Sequence, residues 1–431
     1  MRKLRTKPKE NRREEKAALK KTRPVKILLL GQSESGKSTA LKNFQIIHTP
    51  QAWAAERASW RAVIQLNLIR SVRFILDAMA QAQSRRGPLD RNVPQSPERA
   101  VSPTFTSDHL DLQARLLPLL QVEESLMQRL APDNEVREPT RLASTPKLCE
   151  VSVNALSSWK SVLSKLVNGD SPEGQSIDVN EGDAISQVIS ARRDDIRALW
   201  TDPEIRTLLS KRKLSIEDLP GFFLDDLDRI SDPDYMPSDD DVLRARLKTV
   251  GVTEYSFTRE TKNVIGSDWR IYDVGGSRTQ RPAWAPYFQD VDAIIFLAPI
   301  SCFDQVLAED ATVNRLEDTV LLWKSLCSNP LLKKCNLILF MNKTDLMAKK
   351  LQAGVRLSRY IPSYGTRAND FTTASAYLKR KFQLIFTDQS PEPRPFYCHM
   401  TSLTDMQASA KVIASVADMI VHSYLRDHNL V

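Results

Sequence analysis

The run Gly31-Gln32-Ser33-Glu34-Ser35-Gly36-Lys37-Ser38 constrains this chain more tightly than any other. It fits G-x-x-x-x-G-K-[ST], a pattern that chance supplies in roughly one chain in a hundred at ordinary residue frequencies. The pattern works only where a buried strand leads into it and a helix leaves it. Backbone N–H groups of the loop and of the helix N-terminus then face an anionic phosphate. Lys37 adds a point charge at the β- and γ-phosphates, and the Ser38 hydroxyl is suited to ligate Mg²⁺. The flanks meet that demand. Val25-Lys26-Ile27-Leu28-Leu29-Leu30 is short, apolar and followed by a glycine, so it reads as a strand, and Ser38-Thr39-Ala40-Leu41 opens a helix. Glu34, Ser35, Gly36, Lys37, Ser38 and Thr39 are therefore the expected phosphate-side contacts.

The rest of the chain alternates in kind. Residues 269–273, 293–297, 336–340 and 396–400 read as strands, with helical stretches between and after them, for example 309–327 and 405–426. Strands alternating with helices predict an α/β fold with a doubly wound, mostly parallel sheet. From about 50 to 240 few strands are visible. Amphipathic helical stretches run over 53–82, 107–130, 150–167, 183–200, 203–212 and 217–230. The expected organisation is a body over 25–45 and 246–431, interrupted by an all-α insert over 46–245. Residues 84–106 and 131–148, rich in Pro, Ser and Arg, read as flexible insertions.

Two further motifs follow strands. In Asn342-Lys343-Thr344-Asp345 a carboxylate such as Asp345 can accept from both N1–H and the 2-amino group of guanine. Adenine offers no such donor pair, so a site built around that carboxylate rejects it. Asp273-Val274-Gly275-Gly276 is common by chance. In order with the other two motifs it reads as a γ-phosphate sensor, Gly276 allowing close backbone approach and Asp273 reaching Mg²⁺ through water. Lys37 and Asp273 lie 236 positions apart, far more than a small Ras-like GTPase needs between these elements.

Three segments carry a family resemblance. Asp241-Val242-Leu243-Arg244-Ala245-Arg246-Leu247-Lys248-Thr249-Val250-Gly251 resembles the first switch of a heterotrimeric G-protein alpha subunit. Leu224-Asp225-Asp226-Leu227-Asp228-Arg229-Ile230 resembles the end of that family's helical domain, and Val306-Leu307-Ala308-Glu309-Asp310 the segment before its third helix. The resemblance covers about 10–82 and 196–431 and is weak or absent over 84–180. It implies a Ras-like P-loop GTPase with an inserted helical domain, acting as a GTP/GDP-dependent signalling switch. It implies Arg246 as an internal catalytic arginine and Thr249 as a second Mg²⁺ ligand beside Ser38. It also implies nucleotide contacts from Leu243 and Arg244, base reading by Asn342, Lys343 and Asp345, and base support from Thr401-Ser402-Leu403-Thr404, Leu403 included. The implied partners are a beta–gamma dimer, a G protein-coupled receptor engaged by the C-terminal helix, and an effector.

The chain departs from that family at three places. Ser277 follows Asp273-Val274-Gly275-Gly276 where the family has a Gln that orients the attacking water. Ser33 occupies a loop position where the family has Gly, and a side chain there can crowd the water. Both changes predict slow GTP hydrolysis, lowered on the order of tenfold or more. The alternative is that a water or a neighbour such as Gln280 takes over the missing role. Third, Arg2 stands where myristoylation needs Gly, and no Cys lies nearby for palmitoylation.

Charge bears on that last point. The net charge is +8. Residues 1–26 hold twelve Lys/Arg against Glu10, Glu14 and Glu15, a net of +9, so the rest is close to neutral at −1. The basic character belongs to an N-terminal arm, 1–24, with a charged helix over 10–23. Such an arm suits an anionic membrane surface at about 1 kcal/mol per basic residue, or a partner, or is a solvated helix; no nucleic acid is expected. The segment has no apolar h-region, so no signal peptide is expected, and no apolar run approaches a membrane span. Cys149, Cys302, Cys327, Cys335 and Cys398 are odd in number and show no CxxC, against a disulfide framework or zinc site. The expected location is the cytoplasmic face of the plasma membrane, or the cytoplasm. In the second switch Arg278, Arg281 and Trp284 match the family's beta–gamma contacts, while Pro282 and Ala283 replace its usual basic residues. Asn429 suits a left-handed C-cap, and Leu430-Val431 could insert into a receptor. Two other readings stay open: a GTP-loaded scaffold that does not hydrolyse, and a P-loop ATPase or kinase of another class, which Asp345 argues against.

Overall fold

Strand β1, Val25–Gly31, is buried along nearly its whole length, as expected for a strand covered on both faces. Its side chains alternate between two cores: Leu28 and Leu30 join one, Val25, Ile27 and Leu29 the other. In this computed structural model the described residues are 24–84, 105–130, 152–154, 179–211, 216, 221–250, 252–258 and 268–427. They fall into two units, one taking the chain up to Trp53 and from Thr249 onward, the other Ala54–Lys248. The basic arm over 1–23, the insertions over 85–104 and 131–151, and residues 428–431 lie outside the described residues.

The first unit is built on a six-stranded sheet. Its other strands are β2 (Val252–Thr258), β3 (Asp268–Val274), β4 (Ala293–Pro299), β5 (Asn336–Asn342) and β6 (Tyr397–Thr401). The spatial order is β2-β3-β1-β4-β5-β6. β2 pairs antiparallel with β3 and the remaining pairs are parallel. Parallel neighbours need crossover connections, which the helices supply. On the Leu29 face lie α1 (Lys37–His48) and α13 (Met406–Asp427), contributing Leu41, Phe44, Ile413 and Ile420. On the Leu28 face lie α10 (Arg315–Cys327), α11 (Thr344–Gln352) and α12 (Phe371–Gln389). Trp323 is fully buried there, and its indole N–H donates to the Phe382 carbonyl at 3.0 Å. The chain reverses its winding about β1, so the C-terminal ends of β1, β3 and β4 open at the point where ligands bind in such sheets.

The second unit is helical. Helix α2 (Pro50–Arg57) runs into it, and its longest element is α3 (Trp60–Ser84). Around them come α4 (Ser107–Leu116), α5 (Pro118–Leu130), α6 (Val179–Ala191), α7 (Arg193–Thr201), α8 (Pro203–Lys211) and the short α9 (Asp239–Arg244). Arg70 on α3 and Glu123 on α5, both buried, pair at 3.2 Å.

Several expected boundaries shift for local reasons. The helix expected over 107–130 breaks at Leu117–Pro118, because a proline lacks the N–H that would continue it and suits a first helical position. The stretch over 183–200 is two helices, α6 and α7. The described part of 217–230 holds only a 3₁₀ turn, Leu224–Asp226, and one α-turn, Leu227–Ile230. Burial of Phe223, Leu224, Leu227 and Ile230 anchors that turn pair in place of a regular helix. Within 150–167 the described residues, Ser152–Asn154, form a strand, not a helix. Strand β2 was not among the expected strands: it has no apolar run, only Tyr255 and Phe257 alternating with exposed polar residues, as suits an edge strand.

Candidate functional site

The loop after β1 bends through Glu34, which takes a left-handed conformation with φ 61°. Gly36 follows at φ 102° and caps α1. A Cβ on Gly36 would stand 2.3 Å from the Asn342 Nδ2, so both the backbone and the packing require glycine. Lys37 is buried at the first turn of α1, and its ammonium donates to the Gly31 carbonyl at 2.9 Å and the Gln32 carbonyl at 2.6 Å. Burial pulls its pKa down to about 8; Asp273 opposes that pull, and Arg281 and Arg315 add to it. Thr39 sits half-buried on the same turn, and its carbonyl accepts from Asn43 at 3.0 Å.

β3 delivers Asp273 to this loop. The Ser38 hydroxyl donates to Asp273 Oδ2 at 2.7 Å, across 235 positions of chain. A Cβ on Gly276 would meet the Gln32 carbonyl carbon at 2.3 Å and the Lys37 ammonium at 2.5 Å. The residue expected to sense a terminal phosphate thus lies directly against the lysine expected to bind it. A hydroxyl and a carboxylate side by side are hard oxygen donors, which fits Mg²⁺.

The segment after Gly276 turns back through a 3₁₀ run, Arg278–Tyr287. Ser277 Oγ donates to Gln280 Oε1 at 2.9 Å. Arg281 clasps Asp318 of α10 through both terminal nitrogens, at 3.1 and 2.5 Å, and Arg278 reaches the same carboxylate at 3.3 Å. The buried amide of Gln32 donates to Asp318 as well. Burial works against ionisation of Asp318, but these donors outweigh it and hold the carboxyl below its ordinary range. Trp284 is buried and donates to the Gly275 carbonyl at 3.0 Å. Of the three side chains expected to face a beta–gamma pair, Arg281 therefore turns inward, Trp284 is core, and Arg278 is partly exposed.

β5 and β6 bring the base-side residues to the same sheet edge. Asn342 Nδ2 donates to the Ser35 carbonyl at 2.8 Å. Its Oδ1 accepts from the Thr401 hydroxyl at 3.1 Å and the Leu403 N–H at 3.3 Å. One amide thus joins the phosphate loop to the Thr401–Leu403 turn. Asn43 of α1 donates to the Leu403 carbonyl at 2.9 Å and holds that turn from the other side. Lys343 caps α11 in a left-handed conformation, φ 62°. Asp345 is half-buried in the first turn of α11, and among the described residues its carboxylate accepts no hydrogen bond.

Leu243, Arg244 and Arg246 belong to the helical unit. Leu243 is buried. Arg244 bonds to Asp226 and lies over the Phe223 ring at 4.8 Å. Asp241 caps α9 in a capping box with Ser238 and is clasped by Arg229 at 2.6 and 2.8 Å. Arg246 follows α9 outside any helix or strand, and both its main-chain groups bond to Asn67. Thr249 lies in a short strand, Lys248–Val250, and its side chain is outside what is described.

Gln32, Arg315 and Asp318 were not singled out by the sequence, yet they hold the phosphate loop. Arg315 is half-buried, donates to the Ser33 carbonyl at 2.8 Å and pairs with Glu34 at 3.2 Å. Its partners lie some 280 positions away, so no local pattern marks it.

Among the described residues no helix is long and apolar enough to cross a membrane. A family model described as "G-protein alpha subunit" matches residues 3–420. A guanine nucleotide-binding protein alpha-4 subunit of Mycosarcoma maydis is 32% identical over 96% of this chain and 85% of its own. A guanine nucleotide-binding protein subunit alpha of Coprinellus congregatus is 30% identical over 94% and 90%. The alpha-1 subunit of Mycosarcoma maydis is 31% identical over 96% and 94%. A sheet with the phosphate loop, the Asp273–Gly276 turn and the Asn342–Asp345 turn at one edge, on a chain matched almost end to end, belongs to the G-protein alpha subunit family: this is a guanine-nucleotide-binding signalling protein.

Proposed function

We propose that this alpha subunit binds GTP and GDP with Mg²⁺ and hydrolyses GTP slowly, so that its signalling state is long-lived. The observation that carries the reading is the pairing of an intact phosphate loop with Ser277 in the water-orienting position, its hydroxyl committed to Gln280. Lys37 neutralises the β- and γ-phosphate oxygens, exchanging two carbonyl partners for a charged one, which strengthens the bond. Ser38 and Thr249 would hold Mg²⁺, with Asp273 reaching it through water. Bound there, the metal would supply positive charge to offset the charge that builds on the phosphoryl oxygens. The Gly276 N–H donates to the γ-phosphate, and its loss on hydrolysis releases the second switch. Arg246 stabilises charge developing on the phosphoryl oxygens.

Base recognition falls to Asp345, whose carboxylate suits the N1–H and 2-amino donors of guanine. Lys343 packs beside the base. Asn342 frames the loops, since its amide already joins Ser35, Thr401 and Leu403. Leu403 supports the base through its turn. The basic arm meets an anionic membrane face, the C-terminal helix a receptor, and the second switch a beta–gamma dimer and an effector.

Single-turnover GTP hydrolysis with and without Mg²⁺, together with guanine- against adenine-nucleotide competition, tests this. Mg²⁺-dependent hydrolysis slower than that of the Ser277→Gln variant is the expected result. ATP outcompeting GTP would overturn it. GTP binding with no measurable phosphate release would favour the scaffold reading.

A further inference from the structure

Asn67 stands inside α3, between buried Leu66 and Leu68, and is itself 7% exposed. Asparagine is a poor choice there. It favours the helix by roughly 0.5 kcal/mol less than leucine, and its amide must find partners once buried. Its partners are not on its own helix. Oδ1 accepts from the Arg246 N–H at 2.7 Å, and Nδ2 donates to the Arg246 carbonyl at 3.0 Å. One side-chain amide thus pairs with both main-chain groups of one residue, 179 positions away.

Arg246 has need of such a clamp. α9 ends at Arg244, and Ala245, at ψ 133°, has already left the helix. The Ala245 N–H still bonds to Asp241, and the Arg244 carbonyl accepts from Gly221 at 3.1 Å. Beyond that point the helix offers no partner, and an unpaired peptide group is free to rotate. Two hydrogen bonds to one planar amide fix the peptide planes on both sides of the Arg246 Cα. They therefore fix the direction in which its Cβ leaves the chain. The clamp uses main-chain groups alone and takes none of the guanidinium's donors.

We propose that Asn67 is the positioning residue for Arg246: its amide sets the backbone from which the arginine reaches the phosphoryl group in the transition state. This rests on the catalytic reading of Arg246. A catalytic group misplaced by a fraction of an ångström loses much of its effect. Asn67 therefore acts on the chemical step and leaves nucleotide affinity alone.

The test uses the full chain with Asn67→Ala, Arg246→Ala and the double variant, measuring GDP affinity, single-turnover hydrolysis and affinity for the fluoroaluminate that mimics the transferred phosphoryl group on bound GDP. Asn67→Ala is expected to lower hydrolysis and fluoroaluminate affinity about tenfold with GDP affinity unchanged. The double variant should be no slower than Arg246→Ala. Additive losses, or wild-type hydrolysis in Asn67→Ala, overturn the proposal. Normal hydrolysis in Arg246→Ala overturns the reading beneath it as well, so the two failures are told apart. Asn67→Asp guards against a folding defect. Its carboxylate sets an acceptor against the Arg246 carbonyl, whereas its protonated form restores the donor. Its rate relative to wild type should rise as pH falls, and a flat ratio counts against positioning.

Discussion

Ser277 Oγ lies 2.9 Å from Gln280 Oε1 and donates to it. That bond ties the residue in the water-orienting position to the amide best able to replace the missing glutamine. The same amide packs over Gly275, where a Cβ would stand 2.1 Å from Gln280 Oε1. Ser277→Gln should therefore raise single-turnover hydrolysis about tenfold, the scale expected when a water is restored to attack geometry. Gln280→Ala should leave the wild-type rate within about twofold on the same scale. A large loss in Gln280→Ala would show that Gln280 had taken over the role.

Nucleotide affinity should depend on pH through Lys37. Burial lowers its pKa to about 8 in the free protein, and phosphate oxygens beside the ammonium must raise it. Binding then takes up a proton wherever the pH lies between the two values. Affinity is full below about pH 8 and falls by about tenfold per pH unit above it, until the bound-state pKa is reached. For the nucleotide-free fold the sign is opposite. A lysine whose pKa is depressed on folding destabilises the charged state below 8, so stability rises from pH 8 towards the ordinary 10.5. GDP titrations in buffers of different ionisation enthalpy measure the proton uptake directly.

Gly36→Ala should damage two things together. The residue sits at φ 102°, and the new Cβ would press on the Asn342 Nδ2. Backbone strain and a broken Asn342–Ser35 bond should lower stability by about 2–4 kcal/mol, read by chemical denaturation. GDP affinity should fall in parallel, because the phosphate loop and the Thr401–Leu403 turn lose their shared tie.

Asp318→Ala removes the carboxylate that gathers Arg281, Arg278 and Gln32. The two arginines can reach water once released, which limits the loss to about 1–3 kcal/mol. The clearer effect is local. Trypsin should cut after Arg278 faster than in the wild type, while the Arg281–Pro282 bond resists it, with Trp284 emission shifting as its bond to Gly275 loosens.

β1, β4 and β5 were legible as short apolar runs, because burial on both faces leaves that mark on composition, whereas β3 and the edge strand β6 mix polar residues in and were legible only by their apolar and aromatic residues between helical stretches. β2 left no apolar run, only Tyr255 and Phe257 alternating with the exposed Glu254, Ser256 and Thr258, the weaker mark of an edge strand. The helix expected over 217–230 failed for a different reason: Phe223, Leu224, Leu227 and Ile230 repeat at helical spacing but anchor a pair of turns.

The sequence alone determined the local chemistry: a phosphate loop needing Gly36 and Lys37, a carboxylate at Asp345, a serine where a glutamine is usual. Those are properties of adjacent residues, whose backbone shape and side-chain type act together within one turn. Tertiary structure alone decided which distant groups hold them. It set Asn342 on Ser35, Asp318 on Arg281 and Gln32, and Asn67 on Arg246. A buried amide or carboxylate must find partners wherever the fold brings them, and nothing in the neighbouring sequence records which ones they will be.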